Sequence, residues 1–147
     1  MVELKKVLQK TVKKGSGDCA RAAMATLFGK KLDEIPQFFP DSKQTWNIFK
    51  YFKNEGYKPT FYKRNENKVS LEEVAKYDGG INGYFYASVP SQTFKNGNHA
   101  VIVDTELNVV HDPNPNQLAL KLKPQDVASI IVVKDWMIEN GKIVDNV

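Results

Sequence analysis

Asn98-His99-Ala100-Val101-Ile102-Val103-Asp104 and, after Thr105-Glu106, Leu107-Asn108-Val109-Val110-His111-Asp112-Pro113 carry the reading of the fold. The first run alternates and the second returns after a short polar break, the pattern of a β-hairpin. A two-residue turn between Asp104 and Leu107 sets a register with His99 directly opposite Asp112. A four-residue loop sets the same register, whereas three or five residues shift it. Directly opposed residues share a face, with Cβ atoms about 5 Å apart. An aspartate so placed accepts from one imidazole nitrogen and leaves the other for a further partner. His111, the second of two histidines, is next to Asp112 along the strand and by alternation faces the opposite side.

Working outward, the chain from Ile81 onward reads as strands: Gly83 to Val89, the hairpin just quoted, Leu118 to Leu122, and Ser129 to Trp136. Asn140-Gly141, between Met137-Ile138 and Ile143-Val144, signals a last hairpin. Before Ile81 the signals are mainly helical. Cys19 to Phe28 is alanine-rich and stopped by Gly29, with Asp18 or Ser16 as candidate caps. Leu32 to Phe39 is a short amphipathic segment interrupted by Pro36, and Ser42 to Glu55 reads as a long helix closed by Gly56. Its Trp46, Phe49 and Phe52 fall at helical spacing and read as core. Lys58 to Arg64 suggests a strand, and Ser70 caps a helix running to Tyr77. The first 14 residues fit either a strand or a lysine-rich helix. Helices followed by an antiparallel sheet give an α+β class, with N-terminal helices packed on a C-terminal sheet. With no repeat or linker, residues 1–147 read as a single domain.

Composition narrows the function classes. A hydrophobic share of 41% against 26% charged residues fits a soluble globular chain, and no apolar run is long enough to span a bilayer. The lysine-rich start has no apolar core of a secretory signal. A net charge of +4 is mild, and the aromatics fall at core-like positions, so the lysines read as a solvated surface rather than a nucleic-acid interface. A single cysteine excludes an internal disulfide and fits a reducing, cytoplasmic setting.

That cysteine, Cys19, opens a helix after the glycine-containing Gly15-Ser16-Gly17-Asp18. The positive end of the helix lowers a thiol pKa there, and the free Cys19 backbone N–H can point at an oxyanion. A buried structural cysteine is the competing reading of the helix start alone. A zinc site has little support: Cys19, His99, His111 and Asp112 lack Cys-x-x-Cys or His-x-x-x-His spacing.

Gly17-Asp18-Cys19-Ala20-Arg21-Ala22-Ala23-Met24-Ala25-Thr26-Leu27-Phe28, continued by Leu32-Asp33-Glu34-Ile35-Pro36, resembles the cysteine motif of papain-like peptidases. Its flavour is that of the double-glycine (C39-like) group of bacteria and phages. Asn98-His99-Ala100-Val101-Ile102-Val103 with Val109-Val110-His111-Asp112-Pro113 resembles that group's histidine strand and aspartate-proline end. The resemblance implies a papain-like fold with Cys19 as nucleophile, His99 as base and Asp112 as orienter. The group carries a glutamine shortly before the cysteine that binds the oxyanion. Here Gln9 stands ten residues upstream, and serves only if the 13–17 segment loops back. Ala20 stands where many relatives carry glycine or an aromatic.

The expected activity is a cysteine peptidase or amide or isopeptide hydrolase working through a thioester acyl-enzyme, with no cofactor and no metal. The partner is a peptide or protein substrate, with Gly17, Asp18 and Asn98 as candidate cleft residues and the Pro90 to Asn98 loop as one wall. The source expected from the resemblance is a bacterium, or a host cell's cytoplasm if a phage encodes the chain. Two other readings stand beside it: an inactive papain-like module that binds a protein, and transglutaminase-like acyl transfer to an amine.

Overall fold

The computed structural model describes residues 3–11, 18–38, 44–93 and 97–145. Three helices and an antiparallel sheet make the chain a mixed α+β protein. Helix α1 (Cys19–Phe28) ends at Gly29, whose φ of 67° lets its N–H reach the Ala25 and Thr26 carbonyls. That left-handed conformation is one a side chain resists, which is why the helix stops there. Seven of its ten residues are buried, so α1 is packed nearly all round. Helix α2 spans Gln44–Asn54 and α3 spans Leu71–Asp78. Ser70 caps α3 through its hydroxyl, which accepts the Glu73 N–H.

Strands β1 (Thr60–Lys63), β2 (Tyr84–Pro90), β3 (Asn98–Asp104), β4 (Val109–His111) and β5 (Ser129–Val132) form one sheet in the order β1-β5-β2-β3-β4. Period-two alternation sorts its side chains between two cores. Tyr86, Ala100, Ile102 and Ile131 pack with α1 and α2 on one face. Phe85, Ala87, Val101 and Val103 pack with α3 on the other. A separate hairpin, β6 (Trp136–Glu139) and β7 (Lys142–Asp145), turns through Asn140 and Gly141, both at positive φ as a tight two-residue hairpin requires. Its Trp136 Nε1–H donates to the fully buried carboxylate of Asp78, which also accepts the Val133 and Lys134 N–H groups.

Several expectations change. Residues 3–11 are neither strand nor helix but a strap without regular secondary structure. The Val7 N–H donates to Thr26 Oγ1 of α1 at 2.9 Å, and the Gln9 N–H donates to the Pro113 carbonyl at 2.8 Å. Borrowed partners thus satisfy backbone groups that a strand would have paired. Leu118–Lys121 is a 3₁₀ helix, not a strand, because Gln117 enters it with φ of 57° and Asp112 accepts the Ala119 N–H. Trp46 is 68% exposed rather than core; Ile48 and Phe52 carry the buried side of α2. The ends of the expected helical segments at Ser42 and Phe39 lie outside the described residues.

The β3–β4 register also differs. The Leu107 N–H donates to the Asp104 carbonyl and the Asp104 N–H to the Asn108 carbonyl, so three residues, not two, make the loop. Leu107 sits at φ 65° to close it. Val103 then pairs with Val109, and a bulge shifts the next pair to Ile102 with His111. The two one-residue slips add to two, which restores the original side-chain parity. Asp112 is therefore on the same face as expected but displaced along the ladder from His99.

Candidate active site

His99 and Asp112 meet with Nε2 and Oδ1 2.6 Å apart. Position 99 lies beyond Ile102, the last β3 residue paired to β4, and is paired to Val89 of β2 on its other side. There its ring lies close enough to the Cys19 side chain, at the start of α1, for each group to shift the other's ionisation. Because Nε2 faces Asp112, Nδ1 is the nitrogen left for the sulfur. Strand β3 lies against α1, which is what brings the first helical residue to the strand's beginning.

The charges reinforce one another. Burial pushes the Cys19 thiol up, but the His99 hydrogen bond and charge, with hydrogen bonds from the backbone of Ala100 and Ala20, bring it below its ordinary value. Burial pushes His99 down, yet its bonds to Asp112 and Cys19 raise it to about 9. Burial likewise pushes Asp112 up, and the His99 hydrogen bond with the Ala119 and Asn114 N–H groups outweighs it, lowering the carboxyl. At neutral pH these directions favour a thiolate beside an imidazolium.

Asp112 is 1% exposed and fully occupied. Its Oδ1 also accepts the Asn114 N–H at 2.9 Å, and its Oδ2 accepts the Ala119 N–H at 2.8 Å. The Gln117 amide closes the turn by donating to the Asp112 carbonyl at 2.5 Å and the Asn114 carbonyl at 2.9 Å. Asn114 in turn reaches Thr93 in the loop before β3. Neither Asn114 nor Gln117 stood out in the sequence. The dense polar run Asp112-Pro113-Asn114-Pro115-Asn116-Gln117 was legible as a turn, but which of its groups faces the carboxylate was not.

His111 pairs with Ile102 and turns to the strap, its Nε2 2.7 Å from the Val7 carbonyl. Burial holds its pKa down, which suits a neutral ring donating to that carbonyl. Gln9 is buried, with its Nε2 donating to the Thr11 carbonyl and its Oε1 without a partner among the described residues. Asp18 makes no side-chain cap on α1. Its buried carboxylate accepts the Lys10 and Thr11 N–H groups, both at 3.1 Å, and its own N–H donates to the Thr11 carbonyl. Residues 10–11 thus lie against the start of α1; the 13–17 segment on which a role for Gln9 depends lies outside the described residues. Of the candidate cleft residues, Asp18 is turned to the strap, Asn98 is exposed, and Gly17 lies outside the described residues, as does the alternative cap Ser16. Before β3 the Ser91 N–H donates to the Gly97 carbonyl; residues 94–96 between them lie outside the described residues.

A groove of about 880 Å³ opens away from this site, between β1 and the β6–β7 hairpin, with Lys58, Phe61, Lys68, Lys134 and Trp136 among its walls. None of Cys19, His99 and Asp112 borders it. The chain has no match among protein-family models, curated proteins or solved structures. Among the described residues no helix is long and apolar enough to cross a membrane.

Proposed function

We propose that the chain is a papain-like cysteine hydrolase of peptide, isopeptide or related amide bonds. The His99–Asp112 hydrogen bond beside Cys19, with the thiol lowered and the imidazole raised, carries the reading. A structural cysteine buried among apolar groups would have its thiol raised instead.

In the proposed reaction the Cys19 thiolate adds to the substrate carbonyl carbon, and the electron pair moves to the carbonyl oxygen. The Cys19 backbone N–H, at the first helical position and without an intrahelical acceptor, stabilises that oxyanion. Collapse expels the amine, which takes the proton held on His99 Nδ1, and leaves a thioester. Neutral His99 then takes a proton from water as it attacks the thioester, and collapse breaks the C–S bond, releasing the acid and returning the Cys19 thiolate beside protonated His99. Asp112 keeps Nε2 protonated throughout, so one nitrogen alone cycles its proton.

A catalytically weak binding module is the second reading. The observation in its favour is that the Gln9 amide donates to Thr11 rather than standing free for an oxyanion. A denatured-protein peptide pool, incubated with the protein and read by mass spectrometry, separates the two. New cleavage products absent with Cys19→Ala support hydrolysis. The same products from Cys19→Ala would overturn it, and no products from either would favour the binding module. Adding a primary amine and finding its adducts in place of acids would assign acyl transfer.

A further inference from the structure

We propose that Gln117 is a positioning residue for the Cys19–His99–Asp112 set, acting through the Asp112 turn; the inference rests on the catalytic reading above. Asp112 follows the last residue of β4, so no strand ladder fixes its backbone. The Gln117 side-chain amide is what ties the Asp112 carbonyl into the turn: Nε2 spends one proton on that carbonyl at 2.5 Å and the other on the Asn114 carbonyl at 2.9 Å, which also accepts the Gln117 backbone N–H. The turn so closed brings the Asn114 and Ala119 N–H groups onto the two carboxylate oxygens. Those two bonds fix the carboxylate plane that presents Oδ1 to His99.

The backbone of Gln117 supports the assignment. Its φ of 57° lies in the left-handed region, which glycine and asparagine enter more readily than glutamine. A turn needing only that conformation would be served at least as well by glycine. Glutamine adds a donor long enough to bridge two carbonyls, one of them three residues back and the other five. A buried carboxylate that swings lengthens and bends its hydrogen bond to His99 and weakens the charge interaction that goes with it.

The test uses full-length wild type, Gln117→Met and Gln117→Gly. Methionine keeps the length without the donor, and glycine removes the side chain while relieving the positive φ. The readouts are the His99 ring titration by NMR and the pH midpoint of Cys19 alkylation by iodoacetamide. In both variants His99 should titrate about one pH unit below its value near 9, and the alkylation midpoint should rise. A merely structural role would lower the melting temperature and leave both midpoints unmoved. If Gln117→Met fails to fold, Gln117→Gly decides alone. A wild-type His99 near 9 with unmoved variants overturns the Gln117 assignment and leaves the catalytic reading intact. A wild-type His99 near the ordinary 6.5 overturns the catalytic reading and this inference with it.

Discussion

His99 and Asp112 are hydrogen-bonded at 2.6 Å although no strand pairing sets them opposite each other. A ladder would fix their backbones and leave the side chains to find one another. Here the carboxylate is aimed by two backbone N–H groups of its own turn, and the ring extends from a β3 residue paired to Val89 of β2 but not to β4. The pair is thus held from both sides, as expected of a base and its orienter.

Asp112→Asn tests that pairing. It removes the negative charge while keeping the shape, so His99 should fall from about 9 toward its ordinary value and the thiolate should lose its partner near neutral pH. Turnover should drop roughly 100-fold, with a smaller change in KM. Steady-state kinetics across pH checks this, and an unchanged alkaline limb would count against the assigned role.

The pH dependence of stability carries a second signature. His99 is raised on folding, so its protonated form stabilises the fold fully below 6.5, and that contribution fades as pH rises through about 9. Asp112 is lowered, so its contribution is present above its ordinary value and is lost as pH falls through its depressed one. Urea unfolding of wild type and His99→Gln should therefore show the largest difference in mild acid below about pH 6.5, narrowing as pH rises toward 9 and again in strong acid.

Thr26→Val removes the acceptor for the Val7 N–H inside α1 while conserving volume. The strap should loosen, with a loss of about 1–2 kcal/mol for one unsatisfied buried group. Faster amide hydrogen exchange at Val7 and Gln9 would accompany it.

Much of this was legible in the sequence. Alanine content and Gly29 gave α1 its observed ends, Ser70 marked α3, and Asn140-Gly141 marked the last hairpin, because each signal is local and has one physical cause. The β3–β4 register was not legible. Leu107 accepts a positive φ that its type does not advertise, and only the tertiary pairing reveals the bulge. The strap was hidden for a similar reason: its partners, Thr26, His111 and Pro113, are distant in sequence. The trio Cys19, His99 and Asp112 came together even so, since two slips of one residue leave side-chain parity unchanged.

Trp46 and Phe52 show how helical spacing misleads when the buried arc is narrow. Trp46→Ala should change stability by about 0.5 kcal/mol or less, whereas Phe52→Ala, at a fully buried site, should cost about 3–5 kcal/mol. Chemical denaturation of the two variants measures the contrast.

The most direct test of the central claim is the rate of Cys19 alkylation by iodoacetamide from pH 5 to 10, in wild type and His99→Ala, read by intact mass. The account predicts rapid single labelling in wild type well below the ordinary thiol midpoint of about 8.5, and a return to that midpoint in His99→Ala. Identical profiles with an ordinary midpoint in both proteins would contradict it, and with it the reading of Cys19 as an activated nucleophile.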